Sequence, residues 1–327
     1  MADEDYEAGW QTMESDPGVF TELLKTLGVD SLIVDDLYSL DDDSVAALQP
    51  VHAFIFLFKW VGASGDESSG GSGTYDNEFS GFFANQVVNN ACATIAVMNG
   101  ILNIPDLKMG EQLTGLQSFA PALDPMTRGE VITSDHVFRQ AHNSLSPPPA
   151  VSLAELDQDR DKTKGDAYHF IVYLPHAGSI YELDGLKKAP IRHGSYSGEQ
   201  WVGKAREAIE ARIATYPPES LHFNLLAIRD DPLPKLQSQL AEAQSKNQSE
   251  WASNLLNQVS IENEKRERWK FENSLRRQNH LGTIHALLLA MAQVGVLDAA
   301  VDGAKKTMKE KIQKARERQA KGEPMDF

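Results

Sequence analysis

Apolar residues first recur at helical spacing at Phe20, Leu23, Leu24 and Leu27, and Gly28 stops the run. Ser15 or Asp16 can cap this helix, with Pro17 in its first turn. Residues 32–40 read as a short strand that buries Ile33, Val34 and Leu37, and 43–48 as a helix. Residues 52–60 are nearly all apolar, the mark of a strand covered on both faces. The Gly- and Ser-rich stretch 62–73 holds two acids and no phosphate-binding pattern, and predicts a flexible surface loop. Behind it, Ala93, Ile95, Ala96, Val97 and Met98 predict a buried helix starting at or just before Cys92, with Asn89 or Asn90 as cap. Leu102, Leu107, Met109, Leu113, Leu116 and Phe119 continue helical spacing over 101–119. Residues 124–143 predict one further helix, capped by Ser134 or Asp135.

The second half opens on a contrast. Residues 145–167 hold three consecutive prolines and a charged run. Such a segment cannot bury enough apolar surface to offset its ordering entropy, so a mobile loop is expected. Two strands follow, 168–175 and 179–184, joined as a hairpin. A turn centred between His176 and Ala177 sets His169 opposite Asp184. Opposed residues share a face, with Cβ atoms about 4.5–5.5 Å apart. The carboxylate could then hold the imidazole by its Nδ1–H, whereas a slip of one residue would put the two on opposite faces. A helix over 199–216 and a last strand over 222–229 complete the alternation. The stretch 230–234 breaks secondary structure, and a domain boundary is expected there. Beyond it, 236–277 reads as a polar helix whose thin apolar stripe is interrupted at Asn247 and Glu262, unlike a sustained coiled coil. Residues 281–301 are strongly apolar and 305–321 basic and solvated. So much apolar surface implies a partner, either the body of the chain or another protein.

Charge narrows the partners. Among 327 residues the net charge is −16, which argues against a nucleic-acid backbone and suits a basic protein partner. No apolar run approaches the ~18 residues of a membrane span, and the acidic start of the chain is unlike a secretory or mitochondrial leader. A soluble intracellular protein with no membrane partner is expected. Cys92 is the only cysteine, which excludes an intramolecular disulfide and any multi-cysteine metal site. A lone cysteine is more often a small core hydrophobe than a nucleophile. Its place at a helix start changes that reading, because unpaired N–H groups and the positive end of the helix dipole favour thiolate over thiol. Gln86 lies six residues upstream, and His169 and Asp184 lie downstream on one hairpin face.

The segment Gln86-Val-Val-Asn-Asn-Ala-Cys92-Ala-Thr resembles the active-site signature of the ubiquitin C-terminal hydrolases, a cysteine-protease family of deubiquitinases. The opening Trp10-xx-Met-Glu-Ser-Asp-Pro-Gly-Val-Phe, the Ala-Tyr-His169-Phe and Tyr-Glu-Leu-Asp184-Gly-Leu segments and the strand at 222–229 resemble the same family. The resemblance implies an α+β fold, a mostly antiparallel sheet sandwiched by helices with a papain-like active site, in a catalytic domain over 1–231. A helical extension over 232–327 would follow. It implies Cys92 as nucleophile, His169 as base and Asp184 as the residue orienting it. Gln86 would stabilise the oxyanion together with the Cys92 N–H. It also implies that Glu14 and Asp35 face the basic tail of ubiquitin, and that 145–167 is a crossover loop under which that tail threads. No metal or cofactor is implied. Residues 268–281 resemble the tail of the proteasome-associated subgroup, which docks the DEUBAD domain of a proteasomal ubiquitin receptor; cytoplasmic and nuclear placement follows from that. The competing reading is a ubiquitin-binding scaffold with little activity, and a cysteine acyltransferase is a distant third. Intact Gln86, Cys92, His169 and Asp184 argue against the scaffold.

Overall fold

The computed structural model describes residues 9–59, 73–146, 168–198, 201–216, 222–278 and 281–307. The loops expected over 62–73 and 145–167 lie outside the described residues, except at Gly73, Leu145 and Ser146. In chain order the elements are α1 (Pro17–Thr26), β1 (Leu32–Asp36), α2 (Asp42–Ala46), β2 (Val51–Lys59), β3 (Thr74–Tyr75), α3 (Cys92–Ile101) and α4 (Glu111–Phe119). There follow α5 (Pro125–Ser134), α6 (His136–Asn143), β4 (Tyr168–His176), β5 (Ser179–Leu183), β6 (Ile191–Ser195), α7 (Trp201–Ile213) and β7 (Phe223–Asp230). The chain continues through α8 (Pro232–Ser245), α9 (Ser249–Arg276), α10 (Leu281–Gln293) and α11 (Leu297–Thr307).

Three of these helices start on the same dipeptide. Asp16-Pro17, Asp124-Pro125 and Asp231-Pro232 each place a carboxylate that accepts from first-turn N–H groups, ahead of a proline already bent for the helix. The stretch 230–234 therefore starts α8 rather than breaking structure. One helix expected over 124–143 is two, because Asp135 is extended and caps α6. The helix expected over 101–119 begins only at Glu111, and the one expected over 236–277 divides where Asn247 takes a left-handed φ of 54°.

The seven strands form one sheet in the order β1-β7-β2-β4-β5-β6-β3, with every neighbouring pair antiparallel. β3 and β6, which the sequence pattern did not announce, close its far edge. The fold is α+β, as expected. Along β2, Ala53 and Ile55 enter a core shared with α1, α3, α4, α5 and α6, while Phe54, Phe56 and Phe58 enter a second core against α7. This central strand is covered on both faces, as its unbroken apolar run requires.

The first compact unit is Met1–Arg277 and the second is Gln278–Phe327. The boundary in packing thus falls after α9, not after Asp231. α9 lies on α1, and a Cβ on Gly18 would sit 2.6 Å from Cγ of the buried Trp269. Asn273 Nδ2 donates to the Gly18 carbonyl at 3.0 Å and to Glu22 at 2.6 Å. Within the second unit α10 and α11 are bent by 116° to each other, and Ile284, Leu287, Leu288 and Val294 are exposed. No single helix among the described residues is long and apolar enough to cross a membrane.

One buried histidine joins α3, α6 and the amino-terminal segment. Thr94 Oγ donates to His142 Nδ1 at 2.8 Å, and His142 Nε2 donates to the Gln11 carbonyl at 2.7 Å. Burial pushes its pKa down to about 4, although the bond to Gln11 opposes the shift. The unfolded chain therefore binds a proton that the folded one refuses. Stability should be lost as pH falls from about 6.5 through about 4, by about 3 kcal/mol. Urea unfolding at pH 7 and pH 4.5 checks this: the loss should shrink in His142→Gln, and parallel curves would refute it.

Candidate active site

Cys92 is the first residue of α3 and is half-buried. The asparagine cap expected for this helix does not form. Ala91 occupies the cap position with helical dihedrals and no side-chain bond. Asn90 instead adopts a left-handed φ of 66° and donates from Nδ2 to the Trp10 carbonyl at 2.9 Å. The first N–H groups of α3 are thus left without a capping side chain at the position of the thiol.

His169 stands on β4, buried, with Nε2 at 2.6 Å from Asp184 Oδ1. The expected contact forms, with two corrections. The hairpin turns on Ala177 and Gly178, both at positive φ, so the register pairs His176 with Ser179 and Val172 with Leu183. That register is two residues from the expected one, which keeps parity. Asp184 therefore meets His169 diagonally, on the same face, rather than directly opposite. The second correction is the nitrogen: Nε2, not Nδ1, holds the carboxylate, so Nδ1 is left for Cys92. Burial alone would push the imidazole down. The charge and hydrogen bond of Asp184, followed by those of Cys92, outweigh it and hold the pKa up at about 9. Burial likewise opposes ionisation of Asp184, and His169, the Leu186 N–H and Arg212 together bring its pKa below the usual value. An imidazolium beside a half-buried sulfur is the partner that a thiolate nucleophile requires.

Gln86 is held by its backbone, whose N–H donates to the Gly185 carbonyl at 2.8 Å next to Asp184. A Cβ at Gly185 would crowd this nitrogen at 3.0 Å. Its side-chain Nε2 donates to the Val88 carbonyl at 3.0 Å, while Oε1 is buried without a partner. Asn85 Nδ2 reinforces the link, donating to the carbonyls of Gly185 at 3.1 Å and Lys187 at 2.7 Å.

Glu14 and Asp35 are engaged by α9. Glu14 pairs with Arg276 at 2.8 Å. Asp35 is buried, 2.7 Å from Arg229 and 3.0 Å from Lys265, so its carboxylate is not presented to solvent. Behind His169 lies a buried set that the sequence reading missed. Glu182 accepts from Tyr173 at 2.9 Å and from Arg212 at 2.8 Å, and lies 3.0 Å from His193. Arg212 in turn covers the face of Phe58, whose ring stands perpendicular to that of His169. The available signal was Glu182 itself, an acid two residues before Asp184 on the same face of an apolar strand. Among the described residues no cluster of His, Cys, Asp and Glu could hold a metal ion.

Comparison with known families decides what this geometry serves. Residues 10–214 match the model of ubiquitin carboxyl-terminal hydrolase, family 1, and residues 252–297 match a second model, of ubiquitin carboxyl-terminal hydrolases. The chain belongs to the ubiquitin carboxyl-terminal hydrolase family. It is a thiol-dependent deubiquitinase with a helical carboxyl-terminal extension. It is 38% identical over 309 residues to ubiquitin carboxyl-terminal hydrolase ubh-4 of Caenorhabditis elegans, covering 92% of this chain and 93% of that one. It is 31% identical to isozyme L5 of Dictyostelium discoideum, covering 93% and 98%. Among solved structures, UCH37 of Trichinella spiralis bound to ubiquitin vinyl methyl ester superposes with a TM-score of 0.65 at 32% identity, over 80% of this chain and 99% of that one.

Proposed function

We propose that Cys92 is the nucleophile of this hydrolase, His169 its acid and base, Asp184 the residue that orients His169, and Gln86 an oxyanion donor. One observation supports the reading: the His169 ring, fixed by Asp184 through Nε2, is hydrogen-bonded to the thiol at the uncapped start of α3. The Cys92 thiolate attacks the carbonyl carbon of the last glycine of ubiquitin. The oxyanion that forms is met by the Cys92 N–H and the Gln86 amide; one such donor contributes about 3–4 kcal/mol. His169 gives its Nδ1 proton to the leaving amine, and a thioester remains. His169 then takes a proton from water, the hydroxide attacks the thioester, and thiolate leaves as ubiquitin regains a free carboxylate. Ubiquitin bearing an electrophilic carboxyl terminus should form one adduct, on Cys92. An adduct elsewhere, or none, would overturn the assignment.

We further propose that the enzyme edits ubiquitin chains or adducts at the proteasome, in cytoplasm and nucleus, its carboxyl-terminal helices docking on the DEUBAD domain of a proteasomal ubiquitin receptor. Supporting this is the exposed apolar surface of Ile284, Leu287, Leu288 and Val294 in a unit separate from the catalytic one. A chain ending at Arg277 should keep intrinsic cleavage of small ubiquitin adducts and lose proteasome subunits in pull-downs. Equal recovery by full-length and shortened chains would refute the docking role.

A further inference from the structure

We propose that the amino-terminal segment 9–11 belongs to the positioning machinery of the active site, as a two-armed clamp on the nucleophile. The inference rests on Cys92 being the nucleophile. A helix start is ordinarily fixed by its capping side chain, and α3 has none. With no capping side chain on it, the start of α3 is held by contacts from elsewhere. The structure holds it two residues to either side of Cys92. On one side Asn90, kept left-handed, donates to the Trp10 carbonyl at 2.9 Å. On the other, Thr94 Oγ donates to the fully buried His142, which passes the constraint to the Gln11 carbonyl at 2.7 Å.

The segment that receives both arms is itself immobilised. Gln11 N–H donates to Asn143 Oδ1 at 3.1 Å, and Asn143 Nδ2 donates to the Gly9 carbonyl at 2.8 Å. Trp10 Nε1 donates to the Thr133 carbonyl at 3.2 Å, and its ring meets His142 edge-on at 4.9 Å. α5, α6 and the amino-terminal segment thus form one hydrogen-bonded frame, and the sulfur hangs between two points tied to it. Asn90, Thr94 and His142 are positioning residues: they set where the thiol stands relative to His169 and touch no reacting atom.

Thr94→Val keeps the shape of the side chain and removes its donor, whereas Thr94→Ser keeps the donor. With the full-length chain and a ubiquitin–fluorophore amide, Thr94→Val should lower kcat about tenfold with KM within about twofold, and Thr94→Ser should recover kcat to within about threefold. Asn90→Gly accepts the left-handed backbone and cuts only the other arm. It too should lower kcat selectively, and slow alkylation of Cys92 by chloroacetamide, with the melting temperature nearly unchanged. Because Asn90 is exposed, this variant carries the test should Thr94→Val fail to fold. Unchanged kcat in folded Asn90→Gly, or losses that appear only in KM, would overturn the clamp. A wild-type chain that the ubiquitin electrophile does not label at Cys92 would instead overturn the nucleophile assignment beneath it.

Discussion

Cys92→Ser is expected to abolish hydrolysis of a ubiquitin–fluorophore amide, by about 10⁴-fold or more, while ubiquitin affinity stays within about threefold. The two halves of this expectation have different origins. A hydroxyl gives up its proton far less readily than a thiol, and His169 is already committed as a charged partner with a pKa of about 9. Binding, by contrast, involves a folded partner across a wide surface, and one half-buried sulfur contributes little of that area. Retained turnover in the serine variant would remove Cys92 from the mechanism. Lost affinity would show that the sulfur shapes the site rather than reacting in it.

Replacing Asp184 should have the next largest effect, and two substitutions separate its roles. Asp184→Ala removes both orientation and charge, and kcat should fall about 10³-fold. Asp184→Asn still offers an acceptor to the His169 Nε2–H but removes the charge that holds the imidazole pKa up at about 9. The alkaline limb of kcat/KM reports loss of the imidazolium proton in the free enzyme. It should move down toward the ordinary histidine range in Asp184→Asn. The folded pKa is raised, so the stability this proton contributes is complete below about 6.5 and is lost as pH rises through about 9. An unshifted alkaline limb, or a collapse in melting temperature with normal kinetics, would make Asp184 structural.

Parity is what made this site legible in sequence. Tyr-His169-Phe and Glu-Leu-Asp184 lie on strands whose side chains alternate, so any even slip of register leaves His169 and Asp184 on one face. The slip came from the turn, since Ala177-Gly178 does not carry the stronger Asn-Gly signal. The choice between Nε2 and Nδ1 was beyond reach, because ring orientation follows from packing that includes Phe58. The cap was misread for a related reason. Asn90 obeys a local preference until Trp10, eighty positions away, claims its amide. Asp231-Pro232 is the opposite case, a signal identical to Asp16-Pro17 and readable by the same rule. Glu182 escaped because a buried acid among apolar neighbours looks like a strand's solvent face until its partners Arg212 and Tyr173 are placed.

The strand order also dictates when during synthesis this enzyme can become one. β7 lies between β1 and β2, so the first strands made cannot reach their final pairing until residues 223–230 exist. Cys92 emerges long before that, and His169 and Asp184 follow, still ahead of β7, on a hairpin whose first strand pairs with β2. At about 5–20 residues per second of translation, Cys92 waits many seconds beside an unfinished sheet. Trp269 settles against Gly18 later still. A chain truncated before β7 is therefore expected to lack activity although it holds Gln86, Cys92, His169 and Asp184, and hydrolysis of a ubiquitin–fluorophore amide by such a chain would refute this. Contacts this distant in sequence also slow folding, so β4 is the first partner available to the apolar β2 during the wait.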